Sequence, residues 1–152
     1  MYILECPKKI ITEFKNVAKK AFPSEILCYL VGTIEYDLIT IDDLWIPDNV
    51  LKYCNHNTVN IQDTWAVNAI EYAKDNDMEI IGTLHSHPYT KEELSIYSCT
   101  GNHQSESDID SCGLAWKQIS GICVIKEFNS GRLSSSIRFW GPTVPLGVRI
   151  TK

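Results

Sequence analysis

Between residues 7 and 22 the apolar side chains Ile10, Ile11, Phe14, Val17, Ala18 and Ala21 recur at three- and four-residue intervals, the period of one helical face. Pro7 suits the first turn of that helix, where a missing amide costs nothing, and Pro23 ends it. An almost unbroken apolar run over 26–34 and a partly alternating one over 38–46 read as two strands. A hairpin around Glu35-Tyr36-Asp37 joins them. Residues 48–57 are polar and loop-like, and 58–61 reads as a short strand. A second helix is expected over 63–75, with Asp63 as its N-cap and Trp65, Ala69, Ile70 and Ala73 as its core side. Residues 79–84 form a strand that runs into His85-Ser86-His87-Pro88. After a long polar segment over 89–104, a third helix is expected from Glu106 to Gln118. Two further strands, 121–126 and 133–140, flank the turn Asn129-Ser130-Gly131, and 146–151 reads as a last one. Helices interleaved with hairpins predict an α/β (α+β) fold, a mixed β-sheet flanked by helices. With no internal repeat, low-complexity tract or linker, a single domain over 1–152 is expected.

Composition narrows the function. The chain has 152 residues, 44% of them hydrophobic and 22% charged, which suits one well-buried core. No window approaches the ~18 consecutive apolar residues of a membrane span, and no basic-then-apolar leader opens the chain. A cytoplasmic protein without a membrane partner is expected. The net charge of −5 and the lack of a basic run argue against nucleic acid as partner. Cys6, Cys28, Cys54, Cys99, Cys112 and Cys123 include no CxxC pair, which excludes a zinc ribbon or thioredoxin-type motif. They are expected as reduced thiols, several buried as small apolar groups.

His85 and His87 carry the first chemical signal. Side chains two apart share one face of a strand, so two imidazoles can converge on one ion while Ser86 points the other way. Ser105-Glu106-Ser107-Asp108 is a helix-capping pattern by itself. Asp108 is alternatively a carboxylate ligand, and two His, one carboxylate and an open position form the usual layout of a catalytic zinc site. Glu25 is either part of a polar turn or a carboxylate held at the edge of the core, beside such an ion, as a general base.

Together these pieces resemble the JAMM (MPN-plus) metalloprotease family, whose pattern is an upstream Glu, then His-Ser/Thr-His-Pro, then Ser-x-x-Asp. Here they stand as Glu25, His85-Ser86-His87-Pro88 and Ser105-Glu106-Ser107-Asp108. Ala21-Phe22-Pro23-Ser24-Glu25 leading into 26–32 looks like the family's opening, and Ile81-Gly82-Thr83-Leu84-His85 resembles its central strand. Ser95 falls at the family's usual serine spacing, but Ser98 stands where the aspartate belongs. Ser105 and Asp108 are therefore assigned, with an insertion within 89–104. The resemblance implies a cytidine-deaminase-like JAMM architecture and one Zn2+ held by His85, His87 and Asp108. It implies Glu25 as proton shuttle, Ser105 as hydrogen-bond donor to the oxyanion, and cleavage after the C-terminal tail of ubiquitin or a ubiquitin-like protein. Alternatives are a non-catalytic MPN scaffold, or a hydrolase of sulfur-carrier fusions or small peptides.

The inserted segment either lines the substrate groove, through Tyr89, Leu94, Ile96 and Tyr97, or is an ordinary decorated loop. Cys54, His56, Cys99 and His103 are soft ligands in two loop segments. A second, structural zinc there is disfavoured against loop residues without a metal. Trp65, Trp116 and Trp140 read as core, Trp45 as core or ligand contact, and Lys15, Lys19 and Lys20 as the solvated side of the first helix.

Overall fold

The structure, a computed structural model, describes residues 2–96, 119–141 and 146–152, with the side chain of Ile96 outside that description. The elements run β1 (Tyr2–Pro7), α1 (Lys8–Ala21), β2 (Leu27–Glu35), β3 (Leu38–Trp45), a 3-10 turn (Val50–Tyr53), α2 (Asp63–Asp75), β4 (Glu79–Tyr89), α3 (Lys91–Ile96), β5 (Ile119–Glu127), β6 (Leu133–Trp140) and β7 (Leu146–Thr151). The expected third helix, over 106–118, lies outside the described residues.

Seven strands form one mixed sheet in the order β6-β5-β4-β2-β3-β1-β7. The pairs β2–β3, β2–β4 and β5–β6 are antiparallel, whereas β4–β5, β1–β3 and β1–β7 are parallel. Helix α1 buries Ile10, Phe14, Ala18 and Ala21 against β1, β3, β5 and β6. Helix α2 packs on β4 and β2. Among the described helices none is long and apolar enough to cross a membrane.

Several expectations change on folding. Strand β1 was not foreseen, and the strand expected over 58–61 reduces to one bridge between Cys54 and Val59. The N-cap of α2 is Gln62 rather than Asp63, with no side-chain cap bond. Ile70 is 44% exposed: the buried stripe Trp65, Ala69, Ala73 runs at four-residue steps, and Ile70 turns ~100° away from it. Trp65 is buried, packed edge-on against Tyr53 at 5.6 Å between ring centres. Trp140 is only partly buried, with the Arg138 guanidinium over its ring. Trp45 is half-buried beside Tyr29, and Trp116 lies outside the described residues. The described cysteines are free: Cys6, Cys28 and Cys123 are buried and Cys54 half-buried.

Candidate metal centre

Strand β4 positions the site. From Gly82 to Tyr89 buried and half-buried positions alternate, the signature of a strand whose faces meet different surroundings. Leu84 and Ser86 pair with Cys28 of β2 and Cys123 of β5. This face is the one α1 covers, since Cys28 feels Glu13 and Cys123 feels Lys15 and Lys19. Ser86 is fully buried, and its hydroxyl and its N–H both pair with Ile26. Its hydroxyl accepts the Ile26 N–H at 3.0 Å and its own N–H donates to the Ile26 carbonyl at 2.9 Å. These bonds fasten the residue after Glu25 to the middle of the His-Ser-His triplet.

His85 and His87 emerge together on the opposite face. Their Nε2 atoms lie 3.0 Å apart and their ring centres 4.9 Å apart, at 57° between planes. A tetrahedral zinc bound at ~2.0–2.1 Å sets two imidazole nitrogens ~3.3 Å apart. A few tenths of an ångström of ring rotation converts the observed 3.0 Å separation into that geometry. The donor type fits as well, because imidazole nitrogen is a preferred zinc ligand.

Of the two, His87 lines an open cleft of about 260 Å³, together with Glu25, His56, Asn57, Pro88, Tyr89 and Glu93. Glu25, half-buried, enters it from the end of the α1–β2 connection, with its N–H donated to the Asn55 carbonyl at 2.8 Å. His56 Nδ1 meets the Pro23 carbonyl at 2.7 Å, and its Nε2 meets Glu93 Oε1 at 2.7 Å. Glu93 Oε1 also accepts from the Thr90 N–H and hydroxyl, each at 3.0 Å. The Pro23 carbonyl foremost, then Glu93, pulls the His56 pKa upward. Burial pushes Glu93 up, but the Thr90 amide, His56 and the Thr90 hydroxyl outweigh it and leave its carboxyl below the ordinary range.

Of the expected site residues, the structure brings His85, His87 and Glu25 to one end of the sheet, with Tyr89 in the cleft wall. Leu94 lies half-buried on α3, away from the cleft lining. Ser105, Asp108, Tyr97, Cys99, His103 and the side chain of Ile96 lie outside the described residues. Among the described residues no group of three His, Cys, Asp or Glu gathers on one point. The Cys54 thiol donates to the Val50 carbonyl at 3.0 Å. Both ring nitrogens of His56 face Pro23 and Glu93, so this arrangement gives His56 no lone pair for a metal. The sequence reading missed Glu93 and α3. Their signal was present as Thr90-Lys91-Glu92-Glu93, a capping box in which Thr90 Oγ1 accepts the Glu93 N–H at 3.3 Å.

Residues 7–95 match the family described as prokaryotic homologs of the JAB domain. The match spans Glu25, His85 and His87 and stops short of Ser105. The fold resembles that of protein DSY2949 from Desulfitobacterium hafniense, with a TM-score of 0.61 and 17% identity over 97% of this chain and 94% of that one. It also resembles AF2198, a JAB1/MPN domain protein from Archaeoglobus fulgidus, with a TM-score of 0.52 and 16% identity over 96% and 97% of the two chains. No curated protein sequence matches the chain.

Proposed function

This chain belongs to the family of prokaryotic homologs of the JAB domain, and from that premise we propose that it is a zinc-dependent (iso)peptidase. Its substrate in this reading is the C-terminal tail of ubiquitin or a ubiquitin-like protein. One observation carries the proposal: the His85 and His87 nitrogens converge within 3.0 Å beside a cleft that Glu25 also lines. In this reading Asp108 completes the ligand set, and the chain acts as one domain with an insertion within 89–104.

Zinc bound there supplies Lewis-acid chemistry, drawing the pKa of water toward ~7. Glu25 takes the proton of the attacking water and returns it to the leaving amine, a lysine side chain in an isopeptide. Ser105 donates to the developing oxyanion, a contact worth ~3 kcal/mol in comparable sites. In this reading the tail lies extended along the cleft, with Tyr89 in its wall as an apolar contact. Cysteine nucleophiles are not needed. Burial pushes the Cys6 thiol up to about 11 and Cys123 up to about 12, while burial and then Glu25 push Cys54 up to about 11.

The test pairs metal analysis with turnover of a ubiquitin-like precursor. Glu25→Gln should keep one zinc per chain and lose turnover by ~10²-fold or more. Asp108→Ala should lose the zinc itself. Hydrolysis retained in Glu25→Gln overturns the mechanism. A wild-type chain that binds no zinc overturns the assignment and favours a scaffold role.

A further inference from the structure

We propose that His56 is a positioning residue of this site, a two-way hydrogen-bond donor that ties the loop carrying Glu25 to helix α3. The kinetic consequence rests on the hydrolase reading above; the structural one does not.

The argument begins with the two partners of the ring. A backbone carbonyl has no proton to give, and an ionised carboxylate has none either. With Pro23 O at 2.7 Å from Nδ1 and Glu93 Oε1 at 2.7 Å from Nε2, both ring nitrogens must donate. This arrangement favours the imidazolium form of His56, with Glu93 bonded to it and Glu25 in the same cleft. A ring in that state can be neither a metal ligand nor a general base, since both roles need a lone pair. Its use is mechanical.

The segment that presents His56 is built to be stiff. Asn55 Oδ1 accepts the N–H groups of Asn57 and Thr58 at 2.9 and 3.0 Å. The Asn55 N–H donates to the Thr58 carbonyl at 3.0 Å, closing a tight turn. The same turn offers the Asn55 carbonyl to the Glu25 N–H at 2.8 Å. Glu25 is thus gripped on three sides. His56 holds the carbonyl two residues before it, Asn55 holds its amide, and Ser86 holds Ile26 after it. On its far side His56 holds Glu93, which the Thr90 amide and hydroxyl also hold at the start of α3. Three segments distant in sequence, 22–25, 55–58 and 90–93, meet through one ring. The residue that aims the Glu25 carboxylate is then coupled to the helix that follows the His-Ser-His strand.

Amide hydrogen exchange on the full chain, read by NMR, tests this without any substrate. In His56→Ala the Glu25 amide should exchange faster by on the order of tenfold, with the amides of β2 unchanged. Glu93→Ala should shift the Glu25 amide in the same direction by less. His56→Gln, which donates to one partner, should recover part of the protection. Turnover supplies a second readout, with kcat falling while KM and zinc content hold, because the loss concerns the aim of the base. A Glu25 amide as protected in His56→Ala as in the wild type overturns the proposal. Should His56→Ala not fold, an unchanged Glu25 amide in Glu93→Ala overturns it instead. Wild-type protein that binds zinc yet hydrolyses nothing refutes the hydrolase reading while leaving the exchange result to decide on His56.

Discussion

The pair His56–Glu93 sets a pH window for stability. His56 holds its proton more tightly in the folded chain, so its contribution is complete below the ordinary value of 6.5 and fades as the pH rises through its raised value. Glu93 runs the other way. Its contribution is complete above the ordinary value of 4.5 and fades as the pH falls through its depressed value. The pair therefore stabilises most between 4.5 and 6.5. Thermal melts of wild type and Glu93→Gln should differ most inside that window, with the gap narrowing on the alkaline side. A gap that does not change with pH removes any role for the charges. At this scale the sequence was a partial guide. His85 and His87 were legible because two-residue spacing on a strand fixes a shared face. His56 read as a loop residue, with a metal donor as the disfavoured alternative, because nothing local says that Pro23 and Glu93 will reach its two nitrogens.

Strand β4 depends on close approach to its neighbour. A Cβ on Gly82 would stand 1.8 Å from the Ile119 carbonyl oxygen of β5, and that atom is backbone and cannot swing aside. Gly82→Ala should therefore push β4 from β5 and cost about 3 kcal/mol or more, visible as a lower Tm and a lower denaturation midpoint. A variant as stable as wild type shows that the two strands part easily. Helices α1 and α2 and strand β3 were readable from periodicity, and β2 from an almost unbroken apolar run, since its first six residues are all buried. Ile70 misled because it sits one residue from the true stripe. Strand β1 was hidden because its six residues have no turn partner in sequence. Its neighbours β3 and β7 come from distant parts of the chain, in parallel. Helix α3 was hidden because it is only six residues long, too short for a period to show.

In the whole molecule the histidine strand lies inside the sheet, between β2 and β5, while β6 and β7 close its two ends. The buried residues of β2, β4 and β5 form much of the core. Opening them requires unfolding most of the domain, whereas the outer strands open locally. Hydrogen exchange should find the amides of Leu30, Leu84 and Ile122 slowest, with those of β6 and β7 faster by several orders of magnitude. Uniform protection across all seven strands contradicts this layering. The same layout divides labour at the site. The His85–His87 pair stands on an interior strand, and Glu25 and His56 are brought to the adjoining cleft by connections at one end of the sheet.

The sequence by itself determined the donor types and the local geometry that follows from residue spacing. The helix of 8–21, the alternation along β4 and the joint emergence of His85 and His87 are all short-range consequences of backbone period. Tertiary structure alone decided which loops meet those donors. The strand order, the grip of Asn55 on Glu25 and the bridge from Pro23 through His56 to Glu93 join residues far apart in the chain. Such contacts arise from packing the whole core, and no local pattern encodes them.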